Sequence, residues 1–386
     1  MPTDSALTSL TAAFDQGFAQ AHEAHSKGVR VVGMSWPAVP LELVHAAGLR
    51  PFVVRGLPQT RPGSTTWLEA GLFSPRIRSL VDRAVAGDLS FLSRVIIPRT
   101  SDQDYKCYLY LREFARLRAM PTALPSLHLF DLLQSDGAHV RTYSHERTRV
   151  LAADLDSVSG HTTPEAAVHQ AIVEANTARE AARRLLRLRH GTPRVQGSVV
   201  FPLLGAFLDM PPARYAELAT AAAEYLSAQP VLDGPRILLA GVPVESPHLH
   251  RTIESHGAIV VAETSPWGSH VAGSDVVTTG DPLTALADKY RTDACGPRQP
   301  VGRSRLWLDQ ALDAGVDGVV VSLPPEDCVY GWDYPHLRDV LDARGVPHVR
   351  LDGRQDAAPA PAPEDSPRLA RFVVEAARYQ EAGRRG

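Results

Sequence analysis

Ser35 and Glu42 are the first residues in this 386-residue chain whose types and spacing suggest chemistry. The run Gly33-Met-Ser-Trp-Pro37 closes an apolar segment and leads into Pro40-Leu-Glu-Leu-Val-His-Ala-Ala-Gly48. A hydroxyl at a strand end and a carboxylate in the first turn of the next helix can grip a carbonyl oxygen or move a proton. Glu42 equally suits the positive end of a helix dipole, and spacing alone does not separate the two roles. A second set, Ser101-Asp-Gln-Asp-Tyr-Lys106, follows a later apolar run and is followed directly by Cys107. Ser101, Asp102 and Lys106 could hold a polar substrate, while Ser101 or Asp102 also suits a helix cap. Pro324-Pro-Glu-Asp-Cys328 occupies the related place near the other end of the chain. A thiolate beside a helix start is stabilised by backbone N–H groups and could ligate iron.

The elements that must position these groups repeat. The first course runs through Arg30–Ser35, Pro51–Val54, Arg94–Pro98 and Leu127–Asp131. The second runs through Arg236–Gly241, Ala258–Glu263, Asp317–Leu323 and His348–Leu351. Each is a short, nearly continuous apolar run, as expected of parallel strands buried on both faces. Parallel strands need crossover helices, and the intervening segments supply them. The fold expected is α/β, with two Rossmann-like parallel-sheet domains facing across a cleft and a helical bridging region. The boundaries read as 1–150, 151–230 and 231–386. Ligands of open α/β sheets bind beyond the carboxyl ends of the strands, so Ser35, Ser101 and Cys328 should converge there.

Between the strands, residues 3–26 read as one amphipathic helix and 136–160 as a looser stretch. Thr163 reads as an N-cap with Pro164 opening a long helix, and Gly191 as its stop. Pro212–Ala228 reads as another helix. Ala357–Pro363 reads as a Pro/Ala linker, and Arg368–Arg385 as a closing helix.

Composition excludes several classes. Apolar content of 44%, charged content of 22% and a net charge of −3 describe an ordinary globular chain with no nucleic-acid footprint. No apolar run reaches the length of a membrane span, and the polar amino terminus lacks a secretory core, so a cytoplasmic location is expected. Three cysteines, Cys107, Cys295 and Cys328, lie far apart in sequence, and in a cytosolic protein of this size they are not expected to form a disulfide framework. There is no phosphate loop, no GxGxxG fingerprint and no GxSxG elbow. His22 and His25, three apart, read as a solvated surface. His248, His250 and His256 cluster without a further ligand at suitable spacing.

Taken together, these segments resemble subunits of the 2-hydroxyacyl-CoA dehydratase and benzoyl-CoA reductase family. The likeness rests on PLELVHAAGLRP at 40–51, SDQDYK at 101–106, RILLAGVPVES at 236–246 and IESHGAIVVAE at 253–263. DPLTALADKY at 281–290 and the segment from Asp317 to Gly353 extend it over nearly the whole chain. The resemblance implies paired subunits, either a homologous second subunit or a second copy. It also implies a coenzyme A or carrier-protein thioester as substrate handle and a [4Fe-4S] cluster held by three cysteines in the cleft. A separate ATP-dependent iron–sulfur activator supplies the electron in such systems. In the dehydratases a ketyl radical expels the neighbouring hydroxyl, which makes the enzyme a lyase; in the reductases the electron enters an aromatic ring. The chain departs from this pattern where the family usually has Cys-Asp and the sequence has Ser101-Asp102. Pro121–Leu133, where a second cysteine usually falls, contains none. Only Cys328 matches a family ligand position, so a three-thiolate cluster would have to recruit Cys107 and Cys295. Three readings follow. One is an enzyme subunit in which Ser35 holds the thioester carbonyl and Glu42 assists proton transfer. The second is a cluster-less scaffold or thioester-binding subunit. The third is a redox-independent enzyme reusing the cleft.

Overall fold

All eight apolar runs become strands, each starting and ending within one residue of its expected place. The computed structural model describes residues 2–56, 68, 73–117, 123–135, 137–293, 312, 315–323, 327, 330–352 and 365–383. Strands β1 (Val31–Met34), β2 (Arg50–Val53), β3 (Arg94–Pro98) and β4 (Leu127–Phe130) form one sheet in the order β2-β1-β3-β4. Strands β5 (Arg236–Gly241), β6 (Ile259–Glu263), β7 (Gly318–Leu323) and β8 (His348–Asp352) form the other in the order β6-β5-β7-β8. Every pairing is parallel, so the two sheets share one topology and make two Rossmann-like lobes. Every residue of β1 and of β7 is buried, which is why these strands are uninterrupted apolar runs. β5 ends in Gly241 at φ 94, where a Cβ would stand 2.2 Å from the Ser322 carbonyl oxygen. Only glycine lets the chain turn out of the sheet that close to β7.

Thirteen α-helices lie among the described residues. The amino-terminal segment is two helices rather than one: α1 (Pro2–Asp15) and α2 (Gly17–Ser26) break at Gln16, whose φ of −105 and ψ of 14 leave the helical region. The first lobe adds α3 (Leu41–Ala46), α4 (Pro75–Ala86) and α5 (Asp102–Leu117). The stretch expected to be loose is instead α6 (Ala138–Ser159). It buries Val140, Ser144, Thr148, Leu151 and Leu155, a helical spacing disguised because small hydroxyl residues fill two of the inward positions. α6 also runs across the expected boundary at 150/151.

The helix after it, α7 (Glu165–Arg187), starts one residue later than read, with Pro164 as its cap, because Thr163 donates to Asp156 (2.6 Å) instead of capping. It ends before Gly191, with Leu188 as its C-cap. α8 (Gly197–Gly205), α9 (Pro212–Ser227), α10 (His248–Glu254), α11 (Pro282–Thr292), α12 (Tyr330–Arg344) and α13 (Asp365–Gly383) complete the set. The 357–363 linker lies outside the described residues. The largest apolar core runs from α1 and β1 through α7, α8 and α9 to β5 and α13. The helical middle therefore packs into both lobes and fixes one against the other. No helix among the described residues is long and apolar enough to cross a membrane.

Candidate functional site

The lobes meet at the segments that leave β1, β5 and β6. Trp36, just after β1, stacks edge-on against Trp267, which follows β6, with ring centroids 4.8 Å apart. The Ser265 hydroxyl donates to the Val244 carbonyl (2.7 Å), tying the β6 exit to the β5 exit. On the first-lobe side, Ser35 N–H donates to Ile96 O (3.1 Å) and so extends the ladder by one residue. The Ser35 side chain is 1% exposed and its Oγ has no hydrogen-bond partner. A buried hydroxyl left unpaired costs free energy, and such atoms gather where a water or ligand belongs.

Arg76 of α4 organises this place. Its Nη1 donates to the Ser35 carbonyl (2.9 Å), its Nη2 to Asp104 Oδ1 (2.5 Å), and its guanidinium lies 4.6 Å from the Trp36 ring centre. Asp104, in the first turn of α5, accepts from Thr100 Oγ1 (2.6 Å) and Ser101 Oγ (2.7 Å). From the second lobe, Glu245 reaches across. Its Oε2 accepts from Gly56 N–H (2.6 Å), while its Oε1 lies 3.9 Å from Arg76 Nε with no hydrogen-bond partner. Asp104 already takes the closer share of the Arg76 charge. Burial therefore prevails and lifts the Glu245 carboxyl above its usual value, against the pull of Arg76, Gly56 N–H, Arg55 and Arg83.

Glu42 behaves in the opposite way. It is fully buried on α3, accepts from Arg179 Nη2, and accepts from Tyr290 OH at 2.9 Å. Burial alone would raise its carboxyl, but Arg179 and Lys289 hold it below the usual range. The pair ties α3 to α7 and α11. Beside it a cavity of about 40 Å³ is bounded by Pro37, Leu41, His270, Lys289 and Tyr290, room for a few water molecules.

The remaining expected residues divide. Ser101 joins Ser35 through Asp104 and Arg76, whereas Asp102 and Lys106 point to solvent from the start of α5. Asp104, two residues beyond Asp102, is the carboxylate that turns inward. Cys107 is 0% exposed, packed among apolar residues between α4, α5 and the sheet, and burial pushes its thiol up to about 12. Cys295 and Cys328 lie outside the described residues. Iron–sulfur clusters need thiolates. Among the described residues Cys107 is sealed in the core, the Ser101 hydroxyl is committed to Asp104, and no three His, Cys, Asp or Glu side chains converge as a metal site. With Cys107 sealed, the three cysteines of the sequence leave at most Cys295 and Cys328 as thiolates, one short of a three-thiolate set. His22 and His25 pack on Phe91 at 5.2 and 5.8 Å, and His250 pairs with Glu263.

Sequence reading missed Arg76, Asp104 and Glu245. The repeat contained a pointer to one of them: Glu245 leaves β5 much as the Ser35–Pro40 segment leaves β1.

The profile of the 2-hydroxyglutaryl-CoA dehydratase D-component family matches residues 38–365. The chain is 26% identical to the putative dehydratase subunit YjiM of Escherichia coli, over 96% of this chain and 99% of that one. It is 23% identical to the beta subunit of (R)-2-hydroxyglutaryl-CoA dehydratase from Acidaminococcus fermentans, over 84% and 87% of the two chains. To one of the subunits of benzoyl-CoA reductase from Thauera aromatica it is 22% identical, over 81% and 82%.

Proposed function

The chain belongs to the 2-hydroxyglutaryl-CoA dehydratase D-component family, and on that footing we propose that it is the thioester-holding subunit of a 2-hydroxyacyl-CoA dehydratase-like lyase. The observation that carries the reading is the buried, unpartnered Ser35 hydroxyl at the meeting of the two lobes. A thioester carbonyl brought there would accept its hydrogen bond, and a preorganised donor in a dry site stabilises charge that develops on that oxygen. Arg76 holds Ser35 by its carbonyl. Glu42, with both oxygens engaged, positions α3 and its preceding loop rather than carrying a proton. Ser101 steadies Asp104, and Lys106 and Asp102, both exposed, would meet the coenzyme A or carrier-protein arm.

The partner is a homologous second subunit or a second copy of this chain. Where single-electron chemistry is used, its cluster belongs to that partner and is fed by an ATP-dependent activator. The sealed Cys107 and the committed Ser101 support this division of labour. The test is calorimetric titration of the full chain with butyryl-CoA and coenzyme A. Ser35→Ala should weaken thioester binding about 5- to 10-fold, equivalent to one hydrogen bond, and leave coenzyme A binding unchanged. Equal thioester affinity in the variant removes Ser35 from the role. Stoichiometric iron and acid-labile sulfide in the anaerobically purified chain alone would return the cluster to this subunit.

The same donor set favours a second reading, in which the cleft works without electrons at all.

A further inference from the structure

Two carboxylates flank the loop that leaves β1, and only one is built to exchange a proton. Glu42 has both oxygens occupied, one by Arg179 and one by Tyr290. Glu245 has one oxygen fixed by Gly56 N–H and the other buried with no hydrogen-bond partner. Arg76 links Glu245 to Ser35, with Nε facing the carboxylate and Nη1 on the serine carbonyl. One guanidinium therefore contacts both Ser35, through its backbone carbonyl, and Glu245, and each of these two residues has a buried side-chain oxygen without a hydrogen-bond partner. We propose that this junction catalyses redox-independent proton transfer at the carbon next to a thioester carbonyl, with Ser35 holding the carbonyl oxygen and Glu245 carrying the proton.

The step balances without a co-reactant. The carbon–hydrogen bond breaks, its electron pair moves into the thioester as an enolate whose oxygen accepts from Ser35 Oγ, and the proton forms an O–H bond on Glu245 Oε1. Return of a solvent-derived proton to the same carbon restores the thioester. Charge around the carboxylate suits this use. Arg76 and Arg83 of α4 and Arg55 beyond β2 face it, but Arg76 is shared with Asp104, and Arg55 is paired with Asp209. The local balance leaves Glu245 able to take up a proton, since raising a carboxylate toward neutrality improves it as a base. Ser35 and Glu245 are only 1% and 7% exposed, so an acyl chain must open the junction to reach them.

The inference rests on the thioester-holding reading, and one experiment separates the two. The full chain is incubated with butyryl-CoA in D₂O, and loss of the proton signal next to the carbonyl is followed by nuclear magnetic resonance, alongside calorimetric binding of the same compound. Wild type should wash in deuterium, faster as pH rises through the Glu245 titration. Glu245→Gln keeps an acceptor for Gly56 N–H and should slow exchange by ~10²–10⁴-fold with binding retained. If that variant fails to fold, Glu245→Asp, which withdraws the carboxylate by one methylene, should slow exchange at least ~10-fold. Butyryl-CoA that binds wild type without exchanging overturns the proposal and leaves the binding reading standing, as does exchange at the wild-type rate in Glu245→Gln. Absence of thioester binding to wild type overturns both.

Discussion

Each lobe buries an arginine–carboxylate cluster near a strand end, and the two are finished differently. In the second lobe Glu263, the last residue of β6, accepts from Arg189 Nη1 (2.7 Å), Ser269 N–H (2.6 Å) and Ser269 Oγ (3.0 Å). His250 Nε2 adds a contact at 3.3 Å. Arg189 and Glu263 are both closed to solvent, and although burial alone would raise it, Arg189 and His250 hold the Glu263 carboxyl far below its usual range. Both Glu263 oxygens have work to do within the fold, although Arg189 Nε and His250 Nδ1 beside them are left without hydrogen-bond partners. At the lobe junction, Arg76 serves two carboxylates and a carbonyl, while Ser35 Oγ and Glu245 Oε1 are left without hydrogen-bond partners. A carboxylate held on both oxygens is rigidified, whereas one with a buried oxygen unmet stores desolvation cost that a ligand can relieve. The contrast distinguishes a strut from a site more sharply than the presence of charged residues does.

The largest test of that contrast strikes the strut. Arg189→Met should leave Glu263 buried without its main counter-charge and cost about 3–5 kcal/mol, read as a lowered midpoint in urea unfolding. A loss under 1 kcal/mol would mean that Arg189 is not the counter-charge that holds Glu263.

Opposite responses to acid come next. Burial raises Asp209, paired with Arg55 behind the junction, from 3.8 to about 6. The folded state then binds this proton more tightly than the unfolded state. Its contribution is full below about pH 4 and is lost as pH rises through about 6, a span worth roughly 2–3 kcal/mol. Glu263 runs the other way: its contribution is present above its usual 4.5 and lost as pH falls toward its depressed folded value. The stability difference between wild type and Asp209→Asn, measured from pH 4 to 7, should therefore shift in favour of the variant as pH rises. A flat difference would remove the asymmetry.

How much of this was legible follows from what each residue answers to. The inner strands could be read because a parallel strand buried on both faces has little freedom to be polar, whereas β8, with Arg350 and Asp352 exposed, could be read only as the last step of the repeat. α6 could not, because Ser144 and Thr148 occupy inward positions that usually announce themselves with Leu or Val. Ser35 was visible as a hydroxyl at the end of a strand. Arg76 was not, since it sits in an arginine-containing amphipathic helix where a charge usually means solvent. Asp102 and Asp104 are indistinguishable as letters; a turn of helix decides which one faces Arg76. Glu245 needed the other lobe in place before its surroundings existed.

A smaller effect comes from the backbone that lines the strut. Gly268 passes so close to Glu263 that a Cβ would stand 2.0 Å from Oε1. Gly268→Ala must therefore push the carboxylate off Arg189 or shift the loop, at a cost of about 1–3 kcal/mol. A carboxylate held on both oxygens has no slack to absorb a methyl group, so a neutral substitution, read by thermal unfolding, would contradict its description as fixed.

The smallest effect concerns the thiol that lies one turn beyond Asp104. Cys107→Ala removes one buried sulfur from the apolar core beneath α5 and should cost only ~1 kcal/mol in urea unfolding. The more telling measurement is chemical. Thiolate is the reactive form, and a thiol pushed up to about 12 by burial supplies almost none near neutral pH. In wild type, labelling by an aromatic disulfide reagent at pH 8 should therefore miss Cys107 until the chain unfolds, and Cys107→Ala should leave unchanged the iron content of any complex purified with the partner subunit. Rapid native labelling of Cys107, or iron lost with the substitution, would bring the thiol out of the core and make α5 part of a metal site.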